Sequence, residues 1–151
     1  MYPKQHLIIN FLVSLPFLFL INPIYALIIF FSSVLIDVDH YLYYVSQEKK
    51  IFLLKAYKWY MIKDAKWRLL STKERKKHSR SILIFHGAEQ IILLSLFSII
   101  YYPLIFITLG FLIHLIEDLI EDIPLGVAKR KFSLIYSIYY YNKLNKTSNK
   151  K

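Results

Sequence analysis

Two long apolar runs, each closing on histidines and acids, set the pattern of this chain. From Leu7 to Ile36 no residue is charged. A second run opens at Ser81 and carries one charge, Glu89, before Glu117. Each is about thirty residues, longer than the roughly 20 that cross a bilayer once. Each also holds a proline near its middle, in Asn22-Pro23 and Tyr102-Pro103. Proline suits the first turn of a helix and disrupts its interior. The pattern therefore predicts four helices in two hairpins, near 5–21, 23–40, 81–101 and 103–121. The expected fold is an all-α membrane four-helix bundle with a basic amphipathic segment, 49–80, between the hairpins. It forms a single domain over 1–141, with a disordered basic tail, 142–151.

The two halves share a plan. His6 precedes Pro23 by 17 residues, and His86 precedes Pro103 by 17. An offset of eighty also sets Asp37 on Glu117 and Leu35 on Leu115. In a double hairpin the start of each first helix and the end of each second share one end of the bundle. His6, the segment Asp37-Val-Asp39-His40, His86 with Glu89, and His114 with Asp118 would converge there.

Charge placement orients that bundle. Of twenty Lys and Arg, one is Lys4, twelve lie from Lys49 to Arg80, and seven follow Ala128. Basic blocks that alternate with uncharged runs mark cytoplasmic segments of a membrane protein rather than a nucleic-acid surface. The expectation is a multi-pass protein of the inner, cytoplasmic membrane, with termini and site on the cytoplasmic side. The first run is too long for a signal peptide and leads into Asp-Val-Asp-His, not a cleavage site, so it reads as retained.

The chemistry sits at the run ends. Residues three or four apart share a helical face. Asp37 and His40, His86 and Glu89, and His114 and Asp118 are spaced in this way. Imidazole and carboxylate without sulfur suit Zn, Mn or Fe, and an oxygen-rich half suits Mg. The absence of cysteine removes thiolate sites, disulfides and a cysteine nucleophile. No G-x-S-x-G and no glycine-rich phosphate loop is present, which removes serine hydrolases and NTPases. The expected metal ligands are His6, Asp37, His40, His86, His114 and Asp118, holding one or two divalent ions, Zn foremost. Asp39 and Glu89 are the expected catalytic carboxylates, Asp39 as second ligand or general base. His78, in KERKKHSR, reads as a solvated loop residue. Glu117, Glu121 and Asp122 stay ambiguous, because HLIEDLIED places acids on more than one face.

These positions resemble the YdjM-like family, the LexA-regulated inner-membrane metal-dependent hydrolases. That family has a histidine before its first apolar helix, D-x-D-H after the second, a histidine motif opening the third and H-x-x-x-D closing the fourth. His6, Asp37 with Asp39 and His40, His86, and His114 with Asp118 match, across roughly 4–125. Where many members carry H-R-G-x-T-H-S, this chain has HSRSILIFHGAE, and His86 takes the place of the second histidine. The resemblance implies a phospholipase-like, metal-dependent hydrolase. It also implies an analogy to the zinc phospholipase C arrangement of histidines and aspartates.

The basic segment fits a membrane surface. Lys55, Lys58 and Lys66 take one helical side, interrupted by Ile62, and Phe52, Ala56, Tyr60 and Trp67 favour another. Basic side chains with Trp and Tyr suit an anionic headgroup layer, and FSLIYSIYYY near the C-terminus reads as a second interfacial element. The expected activity is hydrolysis of phosphoester or phospholipid substrates, with membrane lipids as partners and no nucleic acid. A metal-binding or metal-transporting membrane protein, and a structural membrane protein, remain the alternatives.

Overall fold

A computed structural model of the chain describes residues 3–77 and 82–148. Over them the fold is all-helical, with no strand. In chain order the helices are α1 Pro3–Leu20, α2 Pro23–Leu35, α3 Val38–Glu48, α4 Leu53–Arg68, α5 Thr72–Arg75, α6 Ala88–Ser98, α7 Leu104–Asp122, α8 Ala128–Phe132 and α9 Leu134–Ser148. His78 lies outside the described residues.

Both prolines sit where their chemistry puts them. Asn22 caps α2 with its side-chain oxygen, accepting from the Ile24 N–H at 2.9 Å, and Pro23 follows in the first turn. Pro103 stands just before α7. α2 and α7 form the central pair, α1 packs on α2 and touches α7, and α6 packs against α7. Small residues make the central contact close. A Cβ on Gly110 would fall 2.0 Å from Ser32 Oγ and 2.5 Å from the Ile29 carbonyl oxygen. The buried face of α2 is Ala26, Ile29 and Ser33, and that of α7 includes Phe106, Gly110, His114, Glu117 and Asp118.

This interior is short of hydrocarbon and rich in polar groups. His6, Asn10, Ser14, Ser33, His86, Thr108, His114 and Asp118 are buried, whereas Leu7, Ile8, Phe11, Leu12, Phe19, Leu20, Ile92, Leu96 and Phe97 are exposed. Burying polar groups while exposing large apolar ones reverses the usual order of a water-facing domain.

Several expected boundaries move. The helix placed at 81–101 is α6, 11 residues and about 16 Å long. Residues 82–87 ahead of it are not helical. The helix placed at 23–40 does not end at 40: the chain turns at Ile36-Asp37 and continues as α3 to Glu48. The basic segment is two helices, α4 and α5, and the second opens on a reciprocal Ser71–Glu74 capping box. The tail expected to be disordered from 142 is helical to Ser148, within α9. Among the described residues one helical run is long and apolar enough to cross a membrane, Pro23–Glu48, 26 residues. α1 and α6 are apolar but shorter. α7 has the length, but its last two turns carry Glu117, Asp118, Glu121 and Asp122.

The basic segment is fastened to the end of α7. Arg68 bonds Asp64 at 2.5 Å and Glu121 at 2.7 Å. Arg75 donates to the carbonyls of Arg68 at 2.8 Å and Leu125 at 3.2 Å. This gives Glu121 a structural partner on α4. Lys63 lies over the rings of Trp59 and Tyr43, at 4.3 and 5.1 Å, and burial holds its amine below the ordinary lysine range.

Candidate metal centre

The turn inside IDVDH creates the site. In an uninterrupted α-helix the Asp37 N–H would bond the Ser33 carbonyl four residues back. Here it turns to Val34 at 3.3 Å, and Asp39 and His40 likewise bond three residues back, to Ile36 at 3.4 Å and Asp37 at 3.0 Å. Such a tightened stretch within a helix is 3₁₀ in character, a common feature of functional sites. Two things follow. The Asp37 side chain turns toward His114 of α7, with His40 beside it against His86 and Tyr60, and the Ser33 carbonyl is released from the helix ladder.

His114 takes that carbonyl. Its Nδ1–H donates to Ser33 O at 2.8 Å, on a ring that is 0% exposed. With Nδ1 so engaged, Nε2 of the neutral ring is a lone pair. That atom has no hydrogen-bond partner and faces Asp118 Oδ2 at 3.4 Å and Asp37 Oδ1 at 3.5 Å. A lone pair aimed at two carboxylate oxygens calls for a cation between them.

The other imidazoles repeat this orientation. His6 Nδ1–H donates to Glu117 Oε2 at 2.6 Å, and its Nε2 lies 3.5 Å from Asp118 Oδ1. His86 Nδ1–H donates to Asp39 Oδ2 at 3.3 Å, and its Nε2 lies 3.4 Å from Asp37 Oδ1 and 3.9 Å from Asp118 Oδ2. His40 Nε2 is 3.4 Å from Asp37 Oδ1. Three histidines are thus held from behind at Nδ1, by a backbone carbonyl or a carboxylate, and all four present Nε2 to a pair of aspartates. Metal-ligating histidines are held in this manner, which fixes the tautomer and raises ligand basicity.

The separations favour an ion over hydrogen bonds. Good N–H···O contacts lie near 2.9–3.0 Å. Donors at about 2.1 Å from a tetrahedral ion stand about 3.4 Å apart along each edge. Contacts of 3.4–3.5 Å among His6, His40, His86, His114, Asp37 and Asp118 match the second geometry. Two overlapping donor groups can each enclose an ion: His6, His114 and Asp118, and Asp37, His86 and His114. Protons are poorer counter-ions here. The rings of His6 and His114 stack at 4.5 Å, and His86 stands 5.1 Å from both His40 and His114, so neighbouring imidazoliums would repel. Buried His and Asp groups in this structure can hold a metal ion.

The two expected catalytic carboxylates lie elsewhere. Asp39 sits behind His86, not in front of the donors, and its Oδ2 also accepts the Phe85 N–H at 2.5 Å. It holds the 82–87 segment at Phe85 and aims His86. Glu89 does not share a face with His86, because α6 begins only at Ala88 and His86 lies before it. Glu89 Oε1 accepts from Ser133 Oγ at 2.6 Å and Ile135 N at 3.2 Å, and Oε2 accepts from Leu134 N at 3.0 Å. It ties α6 to the start of α9.

Glu117, Ser33 and Asn10 take part in ways the spacing left unread. Glu117 holds His6, and Asn10 Nδ2 approaches the same Ser33 carbonyl as His114, at 3.5 Å. A sequence sign of Asn10 exists: His6, Asn10 and Ser14 recur every fourth residue, and the rest of α1 beyond His6 is apolar. The site's open side is at Asp37 and His40, whose side chains are 23% and 16% exposed, with the Tyr60 ring of α4 4.4 Å from that of His40. No family model, no curated protein and no solved structure matches this chain.

Proposed function

We propose that the protein is a multi-pass membrane protein that binds a divalent metal, Zn foremost, and hydrolyses phosphoesters at the cytoplasmic face. The observation that carries the proposal is the convergence of four imidazole Nε2 atoms on Asp37 and Asp118. Nitrogen and carboxylate oxygen without sulfur suit Zn, Mn or Fe. A divalent ion held by His6, Asp37, His40, His86, His114 and Asp118 would supply water activation near neutral pH and polarisation of a phosphoryl oxygen. The chain's own part is to fix the donors. Glu117, Asp39 and the Ser33 carbonyl hold three rings in one tautomer, and the partly exposed Asp37–His40 side is where a substrate would approach. Twelve basic residues from Lys49 to Arg80 favour an anionic one.

The membrane part of the proposal rests on the reversed distribution of polar and apolar groups. A bundle with exposed Leu, Ile and Phe and a buried polar centre is soluble in hydrocarbon. α1, the α2–α3 run, α6 and α7 would form its embedded part, with the short α6 accommodated by local thinning of the bilayer. The motif positions from His6 to Asp118 support membership of the YdjM-like hydrolases.

Purified protein tests the proposal directly. It should retain metal, and it should cleave a chromogenic phosphodiester or an anionic phospholipid when supplied with Zn, Mn or Mg. Asp37→Asn and His40→Gln should insert normally, bind metal weakly and lose turnover. Full metal content and full activity in both variants would sink the hydrolase reading.

A further inference from the structure

A cavity of about 490 Å³ opens beyond the end of α7. Lys76 lines it from the end of α5, Ile123 and Val127 from the turn after α7, Lys129 from α8, and Tyr136 and Tyr140 from α9. No donor of the candidate metal centre lines it. The nearest along the chain, Asp118, lies five residues before Ile123, about 8 Å along the axis of α7.

Specific bonds hold these walls together. Gly126, at a φ of 70°, folds the chain back after α7, and its N–H donates to the Ile123 carbonyl at 3.0 Å. The turn lies against α5, since a Cβ on Gly126 would fall 2.8 Å from Thr72 Cγ2. Arg75 of α5 pins it by donating to the Leu125 carbonyl at 3.2 Å. The Tyr140 hydroxyl donates to the Lys76 carbonyl and ties α9 to α5.

The donor set is that of an anion site. Lys76, Lys129 and the Tyr136 hydroxyl all face one space, and among the described residues none of these side-chain donors has a hydrogen-bond or ion-pair partner. No carboxylate lines that space. The acids of the adjoining segments are engaged or buried: Glu74 bonds Ser71, Glu121 takes Arg68, and Asp122 is 1% exposed. Two ammonium groups around one cavity, with no acid between them, repel until an anion enters. Cavities of this size hold organic ligands, and a bare ion would leave most of the space unfilled. Ile123, Val127 and the rings of Tyr136 and Tyr140, stacked at 6.0 Å, offer an apolar wall for the rest of the molecule. Three donors match the three free oxygens of a phosphate monoester, whereas a carboxylate presents two.

We infer that this cavity binds an organic phosphate monoester, with the phosphate on Lys76, Lys129 and Tyr136 and the organic part on Ile123, Val127 and the tyrosine rings. The site is separate from the metal centre, and the inference depends on neither metal nor hydrolysis. A soluble ester and the headgroup of phosphatidic acid carry the same group.

Isothermal titration calorimetry of the whole chain in phosphatidylcholine nanodiscs tests this. The probe is benzylphosphonate, whose C–P bond resists hydrolysis. It should bind saturably, and inorganic phosphate and phenylacetate should each bind at least about tenfold more weakly. Lys76→Gln and Lys129→Gln change exposed side chains and should keep any bound metal. Each should weaken benzylphosphonate by about tenfold, the scale of one charge-assisted hydrogen bond. Asp118→Asn should leave that affinity unchanged. Binding lost in Asp118→Asn but kept in both lysine variants would put the probe on the metal centre and overturn the inference. Inorganic phosphate bound as tightly as benzylphosphonate, or no saturable binding by either, would overturn it too. Phosphatidic acid added to the nanodisc separates the sources. Competition that disappears in Lys76→Gln assigns the phosphate to a lipid headgroup, and no competition assigns it to a soluble ester; both support the site.

Discussion

His114 Nδ1 lies 2.8 Å from the carbonyl oxygen of Ser33, a bond that spans 81 positions of sequence. It joins the two central helices at the candidate metal centre and leaves Nε2 facing Asp37 and Asp118. The bond exists because the Asp37 N–H turns to Val34 and leaves Ser33 unclaimed. A deviation of one hydrogen bond in α2 thus sets the tautomer of a histidine on α7.

Donors and the groups behind them should separate by degree. Asp118→Asn keeps the shape and removes the charge that faces His6, His86 and His114, so it should abolish metal retention with the helical content unchanged. Glu117→Gln only loosens the support of His6 Nδ1, and should weaken metal affinity by about 10- to 100-fold. Elemental analysis after dialysis, with circular dichroism as the folding check, measures both. Unchanged metal in Asp118→Asn would remove the centre.

Gly110→Ala tests whether close helix approach makes the site. The added Cβ would meet Ser32 Oγ at 2.0 Å and the Ile29 carbonyl at 2.5 Å, so α2 and α7 must part. Overpacking of this kind costs about 1–3 kcal/mol. Metal retention should fall with it, since Ser33 and His114 separate. Full retention in a variant of lowered melting temperature would show that the centre tolerates the shift.

Glu89→Ala distinguishes a strut from a catalytic group. Its carboxylate caps the N-terminus of α9 through Leu134 and Ile135, with Ser133 Oγ completing the cap by accepting from Tyr136 at 3.1 Å. Loss of a cap costs about 1 kcal/mol. Thermal stability should drop by that order, while metal content and turnover stay at the parent level. A loss of turnover without loss of stability would return Glu89 to the chemistry.

Topology is open to cysteine labelling, because the chain has no native cysteine. Ser46→Cys and Asn142→Cys should react with an impermeant maleimide from the cytoplasmic side, and Asn22→Cys from the opposite side. Basic residues collect around the first two positions, and the Asn22-Pro23 turn has none. Labelling of all three from one side would contradict the double hairpin.

The site was legible in the sequence to the extent that expensive residues stand out. A histidine or acid at the end of a thirty-residue apolar run has few inexpensive explanations, and His6, Asp37, His40, His86, His114 and Asp118 were readable on that ground alone. Period 3.6 pairs added that Asp37 with His40 and His114 with Asp118 share faces. The same rule misplaced Glu89, since it assumes a helix that His86 does not occupy. It could not separate Glu117 from Asp118 either, because adjacent residues differ by about 100° on a helix and the neighbours that sort them lie on α1.

The chain by itself determined an all-helical protein, broken at Pro23 and Pro103, with its ionisable groups gathered at the ends of apolar runs. Proline chemistry and hydrophobic periodicity are local, and local rules suffice for those features. Tertiary structure alone decided the roles. The 3₁₀ turn at Ile36-Asp37 set Asp39 behind His86 and freed Ser33 for His114. The close approach at Gly110 brought Ser33 of α2 to His114, and the packing of α1 on α2 and α7 put His6 against Glu117. Whether a carboxylate joins the cluster of imidazole Nε2 atoms or holds a ring from behind depends on a few ångströms between helices far apart in sequence, and no periodicity within one helix encodes that distance.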